Sequence, residues 1–245
     1  MPDEDARDRT LAAASANRPN EPYPGAGNLE AMAAAKRYHA FLASAVAAHV
    51  HPVGPVLDFG AGTGLHARRL RDGGMTVWCV EPDTDLRRLL EADGFIVAAH
   101  PAEFGRQTFS TVYTLNVLEH IHDDVGALRD LHVAMRPGGR LVVYVPAFEV
   151  LFSAMDHQVG HVRRYRRASL TRAVERAGFE VVRCKYVDSL GFLAALAYRC
   201  LGGSGGLNAD SVALYDRFVF PVSLAMDRVT RRWVGKNLLL VARRG

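Results

Sequence analysis

The sequence predicts a doubly wound α/β fold, and three observations carry that prediction. Between Pro55 and Pro146, short and nearly continuous apolar runs alternate with charged runs of helical spacing. Strands read that way when helices cover both faces of a parallel sheet. The first apolar run passes straight into Gly60, Gly62 and Gly64, three glycines in five residues. After an irregular, basic stretch the alternation resumes over Ser169–Val187, which fits one domain with insertions better than two domains. Right-handed crossovers between the parallel strands then give the doubly wound topology.

The elements follow in order. Residues 1–27 are rich in Pro, Asn, Ala and charge and are expected to form a flexible tail. Residues 28–50 carry apolar side chains at helical spacing and predict a helix ahead of the core. Strands are expected over 55–59, 75–81, 95–99, 109–116 and 140–146. Between them lie a helix over 65–73 closed by Gly73 and Gly74, and one over 83–94 with Asp83 near its start. A third, over 123–139, is stopped by Pro137-Gly138-Gly139. A helix over 169–178, a strand over 179–187 and a last strand over 237–244 complete the pattern. The excursions at 147–168 and 188–235 are where a substrate cap is expected, on a domain spanning 28–245.

Composition narrows the class. With 49% hydrophobic and 23% charged residues in 245, the chain has the balance of a globular protein able to build a sizeable core. Its three cysteines, Cys79, Cys184 and Cys200, are too few and too scattered for a disulfide framework or a zinc site. The start, "MPDEDARDRT", lacks the basic and apolar regions of a secretory signal. No run reaches the roughly 18–20 apolar residues of a membrane span. A cytoplasmic location is expected. The net charge of +4 is uneven: −2 over 1–27, −3 over 28–150 and +9 over 151–245. The basic last third favours an anionic partner.

The glycine loop points to a nucleotide-type cofactor, or else to a structural tight turn. Glycine lets the backbone turn sharply and approach a ligand, and the following helix offers free N–H groups to an anion. The dinucleotide fingerprint requires a glycine where Leu65 stands, and no Gly-Lys-Ser/Thr follows for a P-loop. Glu81, 23 residues after Asp58, closes the second strand, where an acid can take both ribose hydroxyls. Asn116 lies at the tip of a later strand.

The stretches "VLDFGAGTG", "VEPD", "NVLEHI" and "RPGGRLVV", in this order and spacing, resemble the class I S-adenosylmethionine-dependent methyltransferases. "MDHQVGHVRRYRR" resembles a bacterial small-molecule or glycan-type subgroup with a D-x-x-x-G-H-x-R-R-Y element. The resemblance implies a Rossmann-like, seven-stranded sheet, mostly parallel with an antiparallel last strand, plus an N-terminal helix and cap insertions. It implies S-adenosylmethionine as cofactor and S-adenosylhomocysteine as product. By it, Asp58 and the loop of Gly60, Gly62 and Gly64 hold the methionine end, and Glu81 binds the ribose. Pro82, Asp83, Ala102 and Glu103 surround the adenine, and Asn116 and Val117 line the floor near the sulfonium. Tyr38 or Tyr23 closes over the site, with core packing the other reading of Tyr38.

The acceptor is read from the segment after the fifth strand. A hydroxyl acceptor needs a base or a metal, whereas a free amine needs little help. His161, oriented by Asp156 or Tyr165, is the expected base of an O-methyltransferase. His157 and Asp156 are further catalytic candidates. A metal reading on His157 and His161, four apart, is weakened by Gly160, and no metal is expected. His120 is expected beside the acceptor, with Glu119 next to it, a helix-entry role being the alternative. Arg163 and Arg164, with Arg166 and Arg167, read as holding an anionic group of the substrate or as a solvated basic face. The acceptor is expected to be a small molecule or glycan-like metabolite. An N-methyltransferase of an amine or peptide, and a non-methylating S-adenosylmethionine-binding protein, are the alternatives. Nucleic acid is not expected, since "NVLE" stands where base-methylating enzymes carry Asn/Asp-Pro-Pro-aromatic. Transient contact with a membrane surface rests on the basic last third alone.

Overall fold

A computed structural model of the chain describes residues 32–51, 53–200 and 208–245. The tail expected over 1–27, with Tyr23, lies outside the described residues, as does the start of the helix expected over 28–50.

Seven strands form one sheet: β1 (Val56–Phe59), β2 (Val77–Val80), β3 (Ile96–Ala98), β4 (Phe109–Leu115), β5 (Met135–Pro146), β6 (Phe179–Val187) and β7 (Asn237–Arg244). Their order is β3-β2-β1-β4-β5-β7-β6. The first four neighbour pairs are parallel, and β7 runs antiparallel to both β5 and β6. This is the mostly parallel, doubly wound sheet read from the sequence, with the reversed strand inserted between two others.

Strand alternation divides the core in two. Leu141, Val143 and Val145 of β5 face one side with Leu128 and Leu131 of α4 (Asp124–Ala134) and Leu170 and Val174 of α6 (Arg167–Arg176). Val142 and Tyr144 face the other, with Leu42 and Val46 of α1 (Lys36–Ala47), Leu70 of α2 (Leu65–Asp72) and Leu90 of α3 (Thr84–Ala92). All thirteen are essentially inaccessible to water. Their burial supplies most of the drive that holds the two helical layers on the sheet, about 1.5–3 kcal/mol per large aliphatic side chain.

The helix expected over 123–139 ends earlier, at Ala134, because Met135 is already extended with ψ 158°. A residue before proline avoids the helical region, so Arg136 cannot continue the helix into Pro137. Gly138 has φ 76°, and the Pro-Gly-Gly run becomes the irregular entry to β5. Beyond β5, in the two spans where a cap is expected, lie α5 (Ala154–Gln158) and, after β6, α7 (Ser189–Cys200), α8 (Ala209–Leu214), a π-turn (Tyr215–Val219) and α9 (Phe220–Thr230).

Candidate active site

The glycine loop is shaped by its neighbours. Gly60 N and Ala61 N both donate to Val80 O, at 2.9 and 3.1 Å, which folds the loop back over the end of β2. Gly60 has φ 80°, and a Cβ there would lie 2.4 Å from Val117 Cγ2. Only glycine meets both conditions. At Gly62 the opposite holds: an added Cβ meets no described atom within 4 Å, so this backbone faces open space. Helix α2 begins at Leu65, directly after the loop, and presents its N-terminus there.

Glu81 ties the loop to the tip of β2. Its Oε2 accepts from Gly62 N at 2.7 Å and its Oε1 from Asp83 N at 3.0 Å. Burial pushes its carboxyl upward, and these two backbone bonds pull it partly back. Each oxygen still has lone-pair capacity for a second donor. Asp58, buried in β1, accepts from Tyr113 Oη at 2.7 Å. Burial pushes Asp58 up to about 7 despite that bond.

Pro82 and Asp83 are exposed beyond β2, and Asp83 Oδ1 caps α3 by accepting from Asp85 N and Leu86 N, each at 2.9 Å. Ala102 and Glu103 sit on a 3-10 turn (Pro101–Phe104), where Ala102 is exposed and Glu103 Oε1 accepts from His100 N at 2.8 Å. Asn116, beyond β4, takes φ 56°, and its Nδ2 donates to Tyr38 Oη at 3.3 Å. Tyr38 thus joins α1 to this end of the sheet, its ring edge-on to Tyr144 and Phe220. Burial pushes its hydroxyl up to about 12.

A second polar group gathers past β5. Asp156 is fully buried and accepts from Ser153 N at 2.8 Å, from Arg164 Nε and Nη2 at 2.8 and 2.9 Å, and shares a 2.6 Å bond with His161 Nδ1. Burial pushes the Asp156 carboxyl upward, but His161 and the bidentate Arg164 outweigh it and hold it well below the usual carboxylate range. An ionised Asp156 requires a proton on Nδ1 of the imidazole, so Nε2 is the nitrogen that carries the lone pair of the neutral ring. That Nε2 lies 3.8 Å from Glu119 Oε1. Glu119 is fully buried, and neither of its oxygens has a hydrogen-bond partner among the described residues. Burial pushes it up to about 8. The His120 ring stands edge-on to that of His161, with centroids 4.7 Å apart. Burial, with the repulsion that a protonated His161 would add, brings His120 down to about 4.

The remaining sequence candidates fall elsewhere. Tyr165 is buried and its hydroxyl bonds Asp124 Oδ2 at 2.8 Å, so Asp156 alone orients His161. His157 is exposed against Phe152 and does not join His161, because Gly160, at φ 78°, breaks the helix between them. Arg163 pairs with Asp124 at 3.1 Å and donates to His122 O at 2.7 Å, while Arg164 is committed to Asp156.

Sequence reasoning did not single out the acids under the cap. Asp216 accepts from Arg37 N and Tyr38 N, each at 2.8 Å, and so caps α1 from the π-turn. Asp227 of α9 accepts from Asp188 N at 2.7 Å and Ser189 N at 3.0 Å, capping α7. Their signal was present: they stand 11 residues apart, three helical turns, in the most basic third of the chain.

A glycine turn after β1, an acid at the tip of β2 and an antiparallel β7 between β5 and β6 together describe the Rossmann-like α/β fold of methyltransferases, which solved structures share. The Haloferax volcanii protein described as a putative methyltransferase in complex with the Trm112 methyltransferase activator superposes with a TM-score of 0.60. It is 17% identical, over 90% of this chain and 95% of that one. A Thermotoga maritima S-adenosylmethionine-dependent methyltransferase, described as a possible histamine N-methyltransferase, also gives 0.60 at 17% identity, over 87% and 92%. The [4+2]-cyclase SpnF gives 0.56 at 20% identity, over 83% and 80%. No curated protein matches the chain. A methyltransferase domain family matches residues 25–183, and the chain belongs to that family.

Proposed function

We propose that the protein transfers the methyl group of S-adenosylmethionine to a hydroxyl of a small or glycan-like molecule, with His161 as general base. The observation that carries this reading is the Asp156–His161 pair. Asp156 fixes the tautomer through Nδ1 and leaves Nε2 as the acceptor of a proton beside the buried Glu119 and His120. S-adenosylmethionine supplies a methyl group on a sulfonium, which is already a good leaving group.

The residues at the β1 and β2 tips fit this cofactor. The open backbone at Gly62 admits a ligand, Glu81 has lone pairs for the two ribose hydroxyls, and Ala102 leaves room beside an adenine. With that cofactor held by Glu81 and the glycine loop, His161 Nε2 would take the proton of the acceptor hydroxyl as the oxygen is methylated. Tyr38 and Asn116 close the floor and exclude water. The exposed Arg166 suits an acceptor that carries negative charge.

A second reading is favoured by the unpartnered carboxylate of Glu119. Donor atoms of Glu119, His120 and His161 lie within 4.8 Å of one another, a carboxylate and two imidazoles of the kind that hold a divalent cation. Such a cation would activate the acceptor oxygen in place of the base.

The first experiment is calorimetric titration with S-adenosylmethionine. Glu81→Ala is expected to weaken binding about tenfold or more, roughly 1.4 kcal/mol. Absence of binding to the wild type sinks the proposal. With a hydroxyl acceptor in hand, His161→Ala is expected to lower kcat by roughly 10²–10⁴ while cofactor affinity holds. An unchanged rate on an amine instead marks N-methylation, and loss of rate on dialysis against a chelator selects the cation reading. Cofactor binding with no S-adenosylhomocysteine formed marks a non-methylating protein.

A further inference from the structure

The helical run over 209–233 has two contrasting sides. Its inner side carries the buried Asp216, Phe220, Ser223 and Asp227, each engaged with α1, α7 or the end of β6. Its outer side carries Leu214, Phe218, Val222, Met226, Val229 and Trp233, recurring at intervals of four, four, four, three and four. That is the spacing of a single helical face. All six are between 41% and 70% exposed. A helix usually turns such a stripe towards the core, but here the inner side is already filled. Leu193 of α7, which packs against α9, is 56% exposed and extends the apolar surface.

Charge accompanies the stripe. Arg217, Arg228, Arg231 and Arg232 are exposed along the same run. From 209 to 233 the acids are Asp210, exposed at the start of the run, and Asp216 and Asp227, which both point inward. At the end of the stripe Arg231 and Arg232 enter a pocket of about 440 Å³ completed by Arg167, Arg183, Cys184 and Lys185. Five cations and no carboxylate line it. Burial, with the charges of Arg183 and Arg231, holds the Lys185 ammonium below its usual range.

We propose that this face docks on the surface of an anionic phospholipid bilayer. The apolar stripe enters the zone between headgroups and acyl chains, the arginines meet lipid phosphates, and the pocket takes one headgroup. An amphipathic helix with an apolar face and flanking arginines binds membranes in this way, and anionic lipid adds an attraction for each basic residue near the surface. A second copy of the chain fits the face less well. Packing stripe against stripe would bring arginines towards arginines with Asp210 the one exposed acid on 209–233 to oppose them. The contact is peripheral, because no helix among the described residues is long and apolar enough to cross a membrane. The inference stands apart from the acceptor's identity and from the role of His161.

The test is co-sedimentation of the full chain with vesicles of phosphatidylcholine alone and of phosphatidylcholine with phosphatidylglycerol. The wild type is expected to bind the anionic vesicles at least tenfold more tightly than the neutral ones. Val222→Glu with Met226→Glu should lower that binding at least tenfold, and so should Arg231→Glu with Arg232→Glu. Leu89→Glu, an exposed leucine on α3, should leave it unchanged. Thermal melts and S-adenosylmethionine titrations confirm that each variant is folded. Failure of the wild type to bind anionic vesicles overturns the proposal, as does equal binding to both vesicle types. Light scattering that shows a concentration-dependent dimer, dispersed by Val222→Glu with Met226→Glu and without vesicle binding, overturns it in favour of a second copy.

Discussion

The region around β1 and β2 and the region beyond β5 are assembled by different devices. Around β1 and β2 the contacts that shape the glycine loop are short in sequence and end on the loop's own backbone. Gly60 and Ala61 donate to Val80, and Glu81 reaches 19 residues back to Gly62. Beyond β5 buried carboxylates do the joining, and two of them, Asp216 and Asp227, reach far. Asp216 caps a helix 179 residues away, Asp227 one 39 residues away, and Asp156 gathers Ser153, His161 and Arg164. A backbone-built site depends on allowed φ and free space. A carboxylate-built cap depends on single side chains whose loss strands their partners in the interior.

Removing Asp156, which holds a buried charge, should therefore do more harm than crowding the loop. Asp156→Ala leaves Arg164 buried and unpaired, and is expected to cost about 3–5 kcal/mol in chemical denaturation. A loss below about 1 kcal/mol would mean that solvent reaches Arg164 and that the contrast between the regions is false. Gly60→Ala comes next, at about 1–3 kcal/mol for a strained φ, together with loss of S-adenosylmethionine binding. Adding Val117→Ala should relieve the contact at Val117 and leave the φ penalty, which separates the two causes. Asp227→Ala is smaller, about 1–2 kcal/mol for a lost helix cap. Hydrogen exchange should then speed up at Asp188 and Ser189, whose amides Asp227 accepts from, and stay slow in β1 and β4.

The pH response of Glu119 sharpens the comparison further. Its carboxyl is raised to about 8 in the folded chain, so the folded state keeps a proton that the unfolded state gives up near its ordinary value of about 4.3. Stability then falls as pH rises through the window between those values. Glu119→Gln cannot ionise. Its stability advantage over the wild type should grow between pH 5 and pH 8, by an amount on the order of 1 kcal/mol or more. A difference independent of pH would show that Glu119 is ionised and paired in solution, as a bound cation would make it.

What was legible in the sequence follows the same division. β6 and β7 occupy 179–187 and 237–244, the spans the apolar runs indicated, because strand period and apolar content are local properties. The glycine turn and Glu81 were legible for the same reason. The antiparallel direction of β7 was not readable from its own residues, and the resemblance to methyltransferases supplied it. The end of α4 at Ala134 shows a local rule under-applied, since Pro137 restricts the residue before it. The arginines at 163 and 164 read as a basic cluster because composition records charge and not partners. Their carboxylates, Asp124 and Asp156, come from other elements. The facing of Glu119 and His161 depends on the packing of the turn at 118–120 against the segment after α5, 42 residues on, and no periodicity encodes that.

The position of β7 also bears on how the molecule is made. It lies between β5 and β6 and pairs along its length with both, yet the ribosome delivers it after them. Until Asn237–Arg244 leaves the exit tunnel, the inner edges of β5 and β6 have no strand to join and stay open to mispairing. Folding during synthesis can complete the glycine loop and the parallel half early, but the two sides of the sheet are sewn together only when that segment emerges.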